Sequence, residues 1–144
     1  MKALMATNFQ PPPWLQIEDS AYKKTLNRVA VAITKRDKKR GCTYRVKDAM
    51  DAIDAAFHRC DGTDPYDGMP LEGELLDIDD NAANQVGGAA YKRQFSRLPT
   101  VNHISTEPVP EFEIVSLQTN DAKRDMTPEE FIRYCQAVVA KASR

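Results

Sequence analysis

Pro108 and Pro110 restrict this chain more tightly than any other pair of residues. Each fixes φ and lacks a backbone donor, so the stretch holding them is neither helix nor inner strand. On either side lie short runs rich in β-branched and aromatic residues. Thr100, Val101 and Ile104 come before, and Phe112, Ile114 and Val115 come after. Two such runs around a Pro-bearing reversal predict a β-hairpin with a wide turn, its second strand spanning Phe112–Leu117. A polar turn carrying Asn120 and Lys123 is expected next. His103, at the end of the first strand, and Asn120, just past the second, are expected to meet at one point.

Upstream, apolar spacing changes from two to helical. Ser20 is placed to cap a helix running to about Lys39, with Tyr22, Leu26, Val29, Ala30 and Ile33 forming one buried stripe. Its end is dense in cations, Lys35, Arg36, Lys38, Lys39 and Arg40, interrupted by Asp37, and Gly41 stops it. Cations there offset the helix dipole, and five of them also suit the phosphate backbone of a nucleic acid. A second helix is expected over Val46–Arg59, where Val46, Met50, Ile53 and Phe57 repeat the stripe and four alanines permit close approach. The short connection makes the two helices antiparallel neighbours. His58 reads as a partner of the second helix's C-terminal dipole.

The remaining segments are simpler. Pro11-Pro12-Pro13-Trp14 predicts an extended arm docked by its Trp, or a ligand for a proline-recognising partner. Residues 61–98 are turn-rich; their acidic residues lack the spacing of a calcium loop, and a loop or short helix, mobile at Gly87-Gly88, is expected over 79–97. Thr127-Pro128-Glu129-Glu130 is a helix start with its capping box, and Phe131, Cys135, Val138 and Ala142, widened by Ile132 and Val139, predict a buried stripe behind it.

With 144 residues the expectation is one α+β domain: an arm at 1–19, a helical hairpin at 20–60, a loop-rich segment at 61–98, and the β-hairpin with its helix at 99–144. No apolar run approaches the roughly 18 residues that span a bilayer, and Met1–Gln10 is too weakly apolar for a secretory leader, so the cytoplasm is the expected compartment and no membrane the expected partner. The 3 cysteines, Cys42, Cys60 and Cys135, form no close pair, which argues against a zinc knuckle or a disulfide framework. A net charge of -1 leaves any pull on nucleic acid to local patches. Nucleophile-elbow, phosphate-loop, zincin and dinucleotide fingerprints are all absent. With only 2 histidines, any imidazole chemistry rests on His58 or His103.

From Leu98 to Val139 the order strand, Asn102-His103, hairpin, strand, Asn120-x-x-Lys123, helix resembles the HNH endonucleases, built on a ββα-metal finger. Asp64-Pro65-Tyr66-Asp67-Gly68 also resembles a turn that precedes the finger in some members. The resemblance implies a small ββα-metal-like finger packed against the helical hairpin, and an endonuclease hydrolysing phosphodiester bonds in DNA. It implies His103 as general base, Asn102 and Asn120 as ligands of one divalent metal (magnesium or manganese, with zinc possible), and Lys123 near the backbone phosphate. Lys35, Arg36, Lys38, Lys39 and Arg40 would hold the duplex. The family most often has Asp where this chain has Asn102, and a neutral amide holds a cation less tightly. Glu111 and Gln118 stand near the position of the family's middle Asn. The alternatives are a catalytically decayed nucleic-acid-binding module, and a protein-interaction or antitoxin-like module using the Pro-Trp arm and residues 72–80.

Overall fold

The computed structural model describes residues 9–78 and 81–144; residues 1–8, most of the segment read for a leader, and Asp79 and Asp80 of the acidic run lie outside it. The architecture is α+β. Helices α1 (Asp19–Lys38) and α2 (Val46–Arg59) pack on each other, followed by α3 (Leu75–Ile78), α4 (Asn81–Gln94), strands β1 (Pro99–His103) and β2 (Phe112–Ser116), α5 (Leu117–Lys123) and α6 (Pro128–Ala142).

The α1–α2 hairpin forms for the reason its periodicity suggests. Tyr22, Leu26, Ala30 and Ile33 bury one face of α1 against Ala49, Ile53, Ala56 and Phe57 of α2. Each large side chain so buried contributes about 1.5–3 kcal/mol. Tyr22 meets Phe57 edge-on with ring centroids 5.6 Å apart, and its hydroxyl donates to Asp54 Oδ1 at 2.6 Å. Helix α1 begins at Asp19 with Glu18 at the cap position, two residues before the expected cap Ser20, and Glu18 makes no side-chain cap bond. The chain turns back after Lys38 through Gly41, whose φ of +93° suits a residue without Cβ.

The Pro-rich arm is docked rather than presented. Leu15 is fully buried, Trp14 stacks on Phe57 at 6.2 Å, and its Nε1 donates to the Phe57 carbonyl at 3.3 Å. His58 Nε2 sits 2.8 Å from the Gln10 carbonyl, so this histidine fastens the arm to the end of α2. Gly73 passes so close that an added Cβ would stand 2.5 Å from the Leu15 carbonyl oxygen.

In the loop-rich segment one buried carboxylate organises the backbone. Asp64, with no exposed surface, accepts from the Tyr66 and Asp67 amides through Oδ1 and from the Ser116 amide through Oδ2, at 2.7, 2.9 and 2.8 Å. This clamps the 64–68 turn to the end of β2, 52 residues on. Arg97 adds a two-pronged pair with Asp67. The 79–97 stretch is helical over Asn81–Gln94 except at Gly88, whose φ and ψ of 51° and −124° kink it.

Strands β1 and β2 pair antiparallel with His103 opposite Phe112 and Asn102 opposite Glu113. Helix α2 packs on β2, and Arg59 Nη2 donates to the Phe112 carbonyl at 3.0 Å. Strand β2 ends at Ser116, one residue short of the expected Leu117, and the expected polar turn is replaced by α5. Ser116 caps this helix, its Oγ accepting from the Thr119 amide at 3.0 Å. Seven residues are too few to carry a readable helical period.

Helix α6 has the expected capping box, Thr127 Oγ1 accepting from Glu130 N and Glu130 Oε1 accepting from Thr127 N. Its expected buried stripe is corrected. Phe131 is buried against the Tyr66 ring at 5.5 Å, whereas Ile132, Cys135, Val138, Val139 and Ala142 are exposed. The helix touches the body with its first turn and runs on beyond it. Among the described residues no helix is long and apolar enough to cross a membrane.

Candidate functional site around His103

His103 ends β1, and its ring faces the last turn of α1. There Asp37, almost the only acid among the cations, is 1% exposed. Asp37 Oδ2 lies 2.7 Å from His103 Nε2 and accepts the Tyr44 hydroxyl at 2.5 Å. A carboxylate only accepts, so Nε2 carries the proton of this contact and Nδ1 is left as the basic nitrogen. The Asp37 carbonyl accepts the Arg40 and Cys42 amides, which holds the carboxylate's own backbone in place. Phe112 supports the imidazole edge-on at 5.1 Å. Burial, followed by the hydrogen bond to Asp37, pushes the Tyr44 phenol above its usual range, so Tyr44 stays a donor.

The imidazole borders a cavity of about 360 Å³ lined also by Arg40, Asn102, Lys123, Arg124 and Asp125. Three cations against one carboxylate make it a place for an anion. Arg40 donates to the Thr106 carbonyl in the hairpin turn and stands 3.7 Å from Asp37 Oδ1. Lys123 is 1% exposed and donates its ammonium to the Met126 carbonyl, so it also holds the turn after α5. Arg124, with φ of +53°, closes α5 in the left-handed region that side chains seldom adopt.

The other residues singled out by sequence fall differently. Asn102 is buried beside His103, but its Nδ2 donates to Glu113 Oε2 across the hairpin at 3.0 Å, where Glu113 also accepts the Tyr66 hydroxyl at 2.7 Å. Asn120 lines a separate cavity of about 300 Å³ with Arg28, Arg36 and Thr100. Asn102 and Asn120 therefore border different cavities and do not form a ligand pair in this arrangement, because α5 turns Asn120 to the other hollow. Among the described residues no three His, Cys, Asp or Glu side chains are gathered as a cation would require. The divalent metal expected from the resemblance does not fit the residues as placed. Lys35, Arg36, Lys38, Lys39 and Arg40 are all exposed around the end of α1; Arg40 lines the His103 cavity and Arg36 lines the cavity of Asn120.

Asp37, Tyr44 and Arg124 are functional candidates that sequence reasoning passed over. For Asp37 the signal was present: position 37 continues the stripe of Tyr22, Leu26, Ala30 and Ile33, so an acid there points inward. No family model, no curated protein and no solved structure matches this chain.

Proposed function

We propose that this chain acts on nucleic acid, as an HNH-like endonuclease that hydrolyses phosphodiester bonds in DNA with His103 as the general base. The observation that carries this reading is the buried Asp37 behind His103 at the edge of a cationic cavity. With Nε2 engaged by Asp37, His103 Nδ1 takes the proton of the attacking water as its oxygen bonds to phosphorus, while the P–O bond to the leaving sugar oxygen breaks and that oxygen takes a proton from solvent. Arg40 and Arg124 neutralise the charge that develops on the phosphoryl oxygens, and the buried Lys123 fixes the wall that carries Arg124. Lys35, Arg36, Lys38 and Lys39 hold the backbone flanking the reacting phosphate, which makes affinity fall with salt.

The test is nicking of supercoiled plasmid with magnesium, with manganese and with EDTA, for wild type and His103→Ala. The expected result is a loss of about 10²–10⁴-fold in cleavage on removing the base, with DNA affinity nearly unchanged. Equal loss of cleavage and binding would sink the assigned role.

A second reading, a nucleic-acid-binding module without cleavage, is favoured by the Asn102–Glu113 bond, which withdraws that amide from metal binding. Nicking by wild type separates the two, and where it is absent Asn102→Asp tells a decayed nuclease from a site that never bound metal. Gain of metal affinity and of nicking marks a nuclease that lost an acid, and no change supports a site that binds without metal.

A further inference from the structure

We propose that the hollow of Asn120 is a nucleotide subsite, and that DNA reaches the His103 cavity through it as a single strand, which rests on the nuclease reading and specifies its substrate. The two cavities lie in line along one groove. Arg36, Thr100 and Asn120 line the hollow, and Arg40, Asn102 and Lys123 line the His103 cavity. Arg36 belongs to α1 and Arg40 to the turn that continues it, Thr100 and Asn102 to β1, and Asn120 and Lys123 to α5. The steps within these pairs are four, two and three residues, the same-face spacings of a helix, a strand and a helix. Each of the three walls therefore continues from one cavity into the next.

The lining of the hollow suits a nucleotide whose base is unstacked. Its volume is about 300 Å³, and the buried Ile33, Phe57 and Tyr91 give it an apolar floor. Among the described residues that line it none is an acid, and Arg36 stands exposed at its edge. Arg28 also lines it but already has a partner, so the phosphate contact falls to Arg36. The Asn120 amide brings both a donor and an acceptor for the edge of a base. In a duplex the faces of each base are covered by its neighbours and only the edges reach the grooves, so an apolar floor below an arginine has nothing to receive. A single strand offers a base face for the floor and a phosphate for the cation together. Arg40 and Arg124 then meet the next phosphate, beside His103.

Fluorescence anisotropy in EDTA tests this on the full chain, comparing a labelled single strand of oligo-dT with a duplex of the same length. The single strand should bind about ten- to a hundredfold more tightly, and Ala32→Trp should remove that preference by filling the hollow. Ala32 is exposed on α1 and lines the hollow, whereas the neighbouring Val31 is exposed outside it, so Val31→Trp is the control and should bind as wild type does. Circular dichroism should show the same helix content in all three chains. Arg36→Gln should weaken the single strand more than the duplex and lower the salt dependence of its binding by about one released ion. Equal affinity for the two forms overturns the proposal, as does an Ala32→Trp chain that binds like Val31→Trp. In either case, plasmid nicking that is lost in His103→Ala leaves the nuclease reading standing. A single-strand preference removed by Ala32→Trp, with no nicking by wild type, overturns cleavage alone and leaves the subsite as part of a binding module.

Discussion

Helices α1 and α6 carry nearly the same apolar spacing and meet opposite fates. On α1, Tyr22, Leu26, Ala30 and Ile33 are each at most 2% exposed, because α2 and the short α3 close over them. On α6, Phe131 alone is buried, and the residues at its later turns stand in water. Periodicity reports that a helix has an apolar face; it does not report what covers that face. For α1 the cover lies in the same chain, seven residues downstream of its last turn. For α6 no described residue of the chain closes over the later turns.

The contrast between the two helices is open to direct attack. The largest expected effect is Leu26→Ala on α1, about 2–5 kcal/mol by urea unfolding, against less than about 0.5 kcal/mol for Val138→Ala on α6 in the dilute single chain. Similar losses at the two sites would mean that α6 is covered after all. Next comes Asp37→Ala, which leaves the Tyr44 hydroxyl and His103 Nε2 without their shared acceptor; about 1–3 kcal/mol is expected, with nicking lost as well. Retained nicking at full rate would show that His103 needs no orienting carboxylate. Thr127→Ala removes the α6 cap and should cost about 1 kcal/mol, seen as faster amide exchange in α6 with the His103 cavity undisturbed. Exchange that quickens around His103 too would mean the two regions unfold together.

The smallest effect is one of pH. The hydrogen bond from Arg97, then that from the Met69 amide, holds the Asp67 carboxyl below its ordinary value of 3.8. A group depressed in the folded state contributes stability that is complete above its unfolded value and lost as pH falls through the folded one. Acidification below about pH 4 should therefore weaken the 64–70 turn, by less than about 1 kcal/mol because the pair is partly exposed. Arg97→Gln should flatten that part of the acid limb, and an unchanged limb would remove Arg97 as its cause.

Much of the fold was legible in residue order. The helical hairpin, the strand pair around Pro108 and Pro110 and the Thr127–Glu130 capping box all rest on interactions within a few residues or on a repeating face, which local sequence encodes. The candidate site was legible only in part. His103, Asn102, Lys123 and Arg40 line one cavity, while Asn120 lines another, because α5 forms where a turn was expected.

What tertiary structure alone decided has a common physical cause. Asp37 and His103 are 66 residues apart, and Asp64 reaches Ser116 across 52. No local preference encodes such a meeting. It follows from which faces pack once the core has formed, when a buried carboxylate must find donors or remain unsatisfied at high cost. Local sequence is enough to say that α1 and α6 are amphipathic helices. Only the packed chain says that one of them has spent its apolar face and the other still presents it.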